Sequence, residues 1–447
     1  AVTYAIENDT WQLYTSSVST LSLLNATGTP NNWESTTETN IDSDYRYINI
    51  PANIEADSDE IFILGSVYHP HRLWLHALPL ESEVPALSIG STSISGGYPL
   101  QFVQADSDTE EEIVLRSGSS FVLFDLQSDG LWDDGHTIMN GVLSYFLDHA
   151  DIDNDGDDDL LFGSYDDDRV AWIECFGDGE YSAIRSLSFS ANAYDVQWTD
   201  VNGDGLIDAT AATHTDGTVL VWLQTPNSSP ISFASGVDIS ESLTQFSNRF
   251  KTVWGDLNND GLVDVVVGDG HSQSAVGIQS EGMSFDWTSL STGNNQAQAV
   301  LIESVYEDIQ VHDLNADGWL DIIFPNWGWN ASYVNNAGND PSEWEAVYFE
   351  QSSPLMYSNV EGRYNFTSKA LDINGDGILE VLFEKHYSYP DGIYGFSFSI
   401  DGSCTELINL IPNVYDYAGE IIDSDWSDVD GDGDLDLIAI QGSQSIL

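Results

Sequence analysis

A nine-residue pattern, Asp-x-[Asp/Asn]-x-Asp-Gly-x-x-[Asp/Glu], occurs six times in this chain and limits what the chain can fold into. The copies begin at Asp151, Asp200, Asp256, Asp313, Asp372 and Asp428, with starts 49, 56, 57, 59 and 56 residues apart. Two weaker copies, QADSDTEEE from Gln104 and EADSDE from Glu55, carry the rhythm upstream and bring the count to eight units. A period of this length marks a repeat architecture, in which each unit buries its apolar surface against its neighbours.

Each copy lies between an alternating run (195–199, 310–312) and a short β-branched or aromatic run (160–162, 265–267, 322–324). A third run, often with an aromatic, follows at 121–124, 170–173 and 219–223, and Gly- or Asn-containing turns separate it from a fourth. No unit offers a helical periodicity. Four short antiparallel strands per unit predict an all-β fold, an eight-bladed β-propeller of four-stranded blades.

Only one strand's worth of sequence follows the last loop, at 435–440, whereas the N-terminus opens with strand-like runs at 2–6 and 11–14 and no loop before them. The N-terminal strands are therefore expected to complete the C-terminal blade, which removes the free edges of an open ring. The expected organisation is one domain over 1–447. Residues 1–20 belong to the closing blade, 21–46 form a connection, 47–427 hold blades one to seven, and 428–447 are the rest of the closing blade.

Carboxylates this close repel one another unless a cation lies among them, and an oxygen-only donor set selects calcium. Positions one, three, five and nine supply side-chain oxygens, position seven a backbone carbonyl, and Gly at position six the sharp turn. The expected ligands are Asp151, Asp153, Asp155, Asp157 and Asp159; Asp200, Asn202, Asp204, Leu206 and Asp208; and Asp256, Asn258, Asp260, Leu262 and Asp264. The later loops add Asp313, Asn315, Asp317, Trp319 and Asp321; Asp372, Asn374, Asp376, Ile378 and Glu380; and Asp428, Asp430, Asp432, Asp434 and Asp436. About six ions follow, one for each full loop. An EF-hand needs an acid at position twelve, where these loops carry Phe162, Ala211, Val267, Phe324, Phe383 and Ala439, so a helix-loop-helix is excluded.

With these loops, and with Phe162-Gly163-Ser164 after the first full copy and Leu64-Gly65-Ser66 after the weaker copy from Glu55, the chain resembles the FG-GAP/VCBS family of calcium-binding propellers. That family includes integrin α-subunit heads, several fungal and bacterial lectins and some polysaccharide lyases. The resemblance implies a secreted or cell-surface module for adhesion or carbohydrate binding. Integrin heads have seven blades and some of the lyases eight, so seven is the alternative count here.

Composition narrows the partners. With 74 acidic residues against 10 Lys and Arg, the formal charge is -64, which repels phosphate backbones and anionic head groups. Nucleic acid is therefore not an expected partner, and no apolar run reaches the roughly 20 residues of a membrane helix. The 50 Asp outnumber the 24 Glu, and only 3 residues are Lys, a balance that suits saline, marine or divalent-rich surroundings. The chain begins at Ala1, which suits an exported product. Cys175 and Cys404 fall in blades across the ring from each other, so no bond is expected, and Cys175 reads as a buried thiol.

In an up-and-down blade, the loops after strand two lie on the face opposite the aspartate loops. There the sequence places His69, His71, Arg72, His214, His271, Trp327, Trp329, Lys385, His386, Tyr387 and Tyr389. Aromatic rings stack on sugars, and cationic or imidazole groups hold carboxylate or sulfate. His69, Arg72, His214, His271, Trp327, Trp329, Lys385 and Tyr389 are the ligand-binding candidates. His71, His386 and Tyr387 are the candidates for proton transfer should the protein be a lyase acting on an acidic polysaccharide. The leading expectation is a non-enzymatic recognition module for glycan or an extracellular protein. A polysaccharide lyase is the alternative, and a structural subunit that self-assembles or carries flanking domains is a third.

Overall fold

The second strand of most central repeats is apolar at successive positions rather than at alternate ones, which demands burial on both faces. The computed structural model describes residues 101–106, 111–125, 133, 135–144, 146–164, 168–188, 192–213, 217–241, 243, 250–269, 274–290, 309–324, 340, 341, 344 and 378–381, and elsewhere the strands named below. In it the second strands Asp159–Ser164, Asp208–Thr213 and Asp321–Phe324 are buried at every position.

Each second strand lies inside a four-stranded antiparallel sheet whose strands follow chain order. Phe146–Ala150, Asp159–Ser164, Arg169–Ile173 and Arg185–Ser188 form one such sheet. Ala193–Thr199, Asp208–Thr213, Val219–Trp222 and Val237–Asp238 form the next. Phe250–Gly255, Asp264–Asp269, Ala275–Ser280 and Ser284–Ser289 repeat the order, as do Gln310–His312, Asp321–Phe324, Ala331–Val334 and Glu345–Tyr348. The same order holds for Leu100–Val103, Glu112–Ser117, Ser120–Phe124 and His136–Asn140, and for Ser368–Leu371, Glu380–Lys385, Gly392–Phe398 and Cys404–Leu407. In every one, the aspartate loop joins the first strand to the second, where the sequence puts it. Among the described residues there is no α-helix.

Two sheets depart from this plan. Ile63–Ser66, Leu73–His76 and Leu87–Ser88 make a three-stranded sheet. The last strands of the chain, Glu420–Ser427 and Asp436–Gly442, share a six-stranded sheet with Val2–Glu7, Thr10–Ser17, Thr20–Ala26 and Trp33–Asn40, and Val2 pairs with Ala439. The first two N-terminal strands match the expected runs. Thr20–Ala26 and Trp33–Asn40 are strands where the sequence predicts a connection. Alternating Leu21 and Leu23, and the Thr-rich second segment, have the period and residue types of half-buried strands despite their polarity.

Consecutive sheets stack face to face. Leu160 and Phe162 join a core with Val114, Phe121 and Leu123 of the preceding sheet, whereas Leu161 between them joins a core with Trp198, Ala209 and Trp222 of the following one. Val266 and Val265, and Ile322 and Ile323, divide in the same way. Trp172, Trp198 and Phe233 pack at centroid distances of 5.5 to 6.3 Å between two sheets. Polar clasps reinforce the stack: Trp198 N–H donates to Asp148 at 2.6 Å, and Gln197 Nε2 donates to the Thr252 carbonyl at 2.6 Å. Asp195, nearly fully buried, accepts from Lys251 Nζ at 2.8 Å and from Thr252 N–H at 3.0 Å.

The Phe162-Gly163 pair shows why glycine follows the aromatic. Phe162 is fully buried against Phe121, and a Cβ on Gly163 would stand 2.8 Å from Ala193 Cβ and 2.9 Å from Val196 Cγ1 of the next sheet. Gly163→Ala is expected to destabilise the fold by about 1–3 kcal/mol through overpacking. Denaturant unfolding checks this, and an unchanged midpoint would show that the sheets yield without cost.

Candidate metal-binding loops

The loops solve a local problem: a reversal of direction lined with like charges. At position six, Gly156, Gly205, Gly261 and Gly318 adopt φ of 103°, 84°, 86° and 87°, a region that side chains disfavour. Position four is left-handed as well, at Asn154, Gly203, Asn259 and Ala316, with φ of 61°, 71°, 55° and 56°. The sequence reading missed this second turn, although Asn and Gly at position four were its signal.

The first aspartate organises each turn. Asp200 accepts the N–H groups of Gly203, Asp204 and Gly205 at 2.8 to 3.1 Å. Asp256 accepts those of Asp260 and Gly261 at 3.0 and 2.8 Å, and Asp313 those of Asp317 and Gly318 at 3.0 and 2.8 Å. Asp151 does the same for Asp155 and Gly156, both at 3.0 Å. The side chain at position five accepts the N–H of position seven in all four loops, at 2.8 to 3.1 Å.

Position nine is different because it is buried at the start of the second strand. Asp159 Oδ2 accepts Ile152 N–H at 3.1 Å and its Oδ1 accepts Cys175 N–H at 2.8 Å. Asp208 accepts Val201 and Gln224 N–H at 3.1 and 2.8 Å, and Asp264 accepts Leu257 and Gln279 N–H at 2.9 and 2.7 Å. Asp321 accepts Leu314 N–H at 3.0 Å. These carboxylates close the loop on itself and fasten it to its own sheet.

Asp151, Asp153 and Asp159 each present an oxygen such that all three lie within 4.8 Å of one another, near enough for one cation to touch them all. Positions one, three and nine are thus brought together, while Asp155 Oδ1 faces the N–H of Asp157. A second group, Asp106, Glu112 and Asp125, meets the same distance. It belongs to the weaker copy that starts at Gln104, and the nine-residue pattern does not reveal it because Asp125 lies just past the third strand, outside that pattern. Ile378 and the buried Glu380 stand before and at the start of their second strand, and Asp436 begins its own. Asp372, Asn374, Asp376, Asp428, Asp430, Asp432 and Asp434 lie outside the described residues.

So do His69, His71, Arg72, His214, His271, Trp327, Trp329, His386, Tyr387 and Tyr389; Lys385 ends a strand whose backbone alone is described. Cys175 is buried, as expected, and burial pushes its thiol up to about 11, which leaves it protonated and a poor nucleophile. It sits just beyond its third strand, in a bridge to Tyr181.

Burial raises the position-nine acids, to about 8 at Asp159 and about 6 at Asp208 and Asp264, against the pull of the backbone N–H groups that bind them. Asp153 rises to about 6 through burial and its carboxylate neighbours. The metal-free folded chain therefore holds protons that the unfolded chain releases near 3.8, the ordinary value for an aspartate. Their stabilisation is complete below that value and is lost as pH rises through about 6 and then about 8. In chelator, the melting temperature is expected to fall between roughly pH 5 and pH 8.5; a flat or rising profile would contradict this electrostatic account.

Comparison with known proteins agrees on the repeats. Residues 151–211 and 200–267 match the FG-GAP-like repeat. No curated protein matches the chain. Among solved structures, the chain is similar to a lectin of Agrocybe aegerita that recognises non-reducing terminal N-acetylglucosamine, at 14% identity and a TM-score of 0.48, over 83% of this chain and 92% of the lectin. It is also similar to an exo-type rhamnogalacturonan lyase, at 12% identity and a TM-score of 0.49, over 87% of this chain and 73% of that one. A rhamnogalacturonan lyase of Bacillus licheniformis follows at 9% identity and a TM-score of 0.42, over 89% and 88%. Residues 151–267, which contain the Asp151, Asp200 and Asp256 loops, therefore belong to the FG-GAP-like repeat family.

Proposed function

We propose that this protein is a calcium-stapled, eight-bladed β-propeller that works outside the cell or at its surface as a recognition module for a glycan or a protein partner. The observation that carries the reading is the common fold of four described loops, each of which folds its first carboxylate back onto the position-six N–H at the connection from first to second strand. Face-to-face stacking of successive sheets, and the pairing of the first strand with the last, support a closed ring.

The donor set fits a hard divalent cation. It is oxygen only, it combines three carboxylates with an Asn at three of the described loops, and its spacing at the Asp151 loop suits one ion. Asp151, Asp153 and Asp159, and the matching positions of the other loops, would hold calcium; bound, it would neutralise their repulsion. These residues serve as staples, and the ligand face would be the opposite one. The lyase alternative depends on His71, His386 and Tyr387, and an assembly role on surfaces beyond those described.

Removing calcium should lower the melting temperature at pH 7.5, since each filled site adds about 2.7 kcal/mol when free calcium is a hundred times the dissociation constant. Calcium restored after chelation should recover both stability and binding to at least one glycan of a polysaccharide panel at marine-like salt. A melting temperature indifferent to chelation would refute the staple, and no glycan binding at all would move the partner to protein.

A further inference from the structure

In three repeats, a residue at or just past the end of the third strand fastens its own loop and also reaches the loop of the preceding repeat. Gln279 donates its backbone N–H to Asp264 of its own loop at 2.7 Å, while its side-chain amide donates to the carbonyl of Val201, position two of the Asp200 loop, at 3.0 Å. Gln224 repeats the arrangement one unit earlier, with its N–H on Asp208 at 2.8 Å and its amide on the Ile152 carbonyl at 3.0 Å. Cys175 occupies the same place with a weaker donor, its Sγ 3.6 Å from the Ala105 carbonyl.

These contacts join into one chain. The position-two N–H of each loop is held by the position-nine carboxylate of that loop, at Val201 to Asp208 and at Leu257 to Asp264. Buried hydrogen bonds therefore run without a break from Asp264 through Gln279, Val201, Asp208 and Gln224 to Ile152. Gln224 and Gln279 are almost fully buried, where a polar side chain without its partner is costly.

We infer that Gln224 and Gln279 are positioning residues that couple each ion-binding loop to the one before it. This rests on the calcium reading above. The position-two peptide lies between the ligands at positions one and three, so the bond to its carbonyl sets the direction in which both face. The position-nine carboxylate, held in place in a filled loop, accepts the Gln N–H and so fixes the point from which the side chain reaches across. Filling one loop thus preorganises the preceding one, and by linkage the influence is mutual.

Amide hydrogen exchange on the full chain tests this, with Gln279→Met and Gln224→Met compared with wild type over a calcium titration. Each variant keeps the backbone N–H and loses the amide donor. In calcium, Gln279→Met should speed exchange over 200–208 by about fivefold, the scale of one net hydrogen bond, and raise the calcium midpoint of that loop while 256–264 keeps most of its protection. Gln224→Met should do the same to 151–159 and spare 200–208. If either variant left the preceding loop unchanged, or loosened its own loop equally, the coupling would be overturned. Wild-type loops indifferent to calcium would overturn the calcium reading and the coupling together, a result distinct from loops that bind calcium independently.

Discussion

A buried carboxylate at the head of each second strand is the interaction on which the rest of this structure depends. Asp159, Asp208 and Asp264 each accept one N–H from the start of their own loop and one from a residue at or just past the end of the third strand. The loop, the second strand and the third strand are thereby tied at a single side chain. Burying a carboxyl is unfavourable for its charged form, and the raised values at these three positions express that cost. Two hydrogen bonds offset it in part, and a cation beside each carboxylate would offset more of it.

The second strand then carries the stacking. Once position nine starts it inside the sheet, residues such as Leu160, Leu161 and Phe162 enter different cores on alternate faces, so each sheet is covered by two neighbours. Glycine at position 163 lets the next sheet come close enough to fill that space. The loops therefore sit at one end of a continuous apolar stack, and most of their charge remains at the exposed tips, where Asp155, Asp204 and Asp260 are solvated.

Much of this was legible in the sequence because the physical signals are periodic. The Asp-Gly pattern fixed the place of each loop, and the apolar runs after it gave second strands such as Asp159–Ser164 and Asp321–Phe324. Less visible were features set by tertiary context. The left-handed residue at position four is Asn or Gly in three loops but Ala316 in the fourth, where the residue type gives no sign of it. Asp125 joins Asp106 and Glu112 only because adjacent strands pair. Gln224 and Gln279 look like ordinary polar residues near the end of a strand, and their reach to the preceding loop depends on how the sheets stack. Thr20–Ala26 and Trp33–Asn40 were masked by polarity, which outweighed their alternation in the sequence reading.

Native mass spectrometry of the chain, after chelation and return to calcium, tests the central claim most directly. The account predicts about six retained calcium ions, one for each full loop, and one fewer in Asp204→Asn, which removes an exposed carboxylate while sparing the buried Asp208. A chain that keeps its fold and retains no calcium would contradict it.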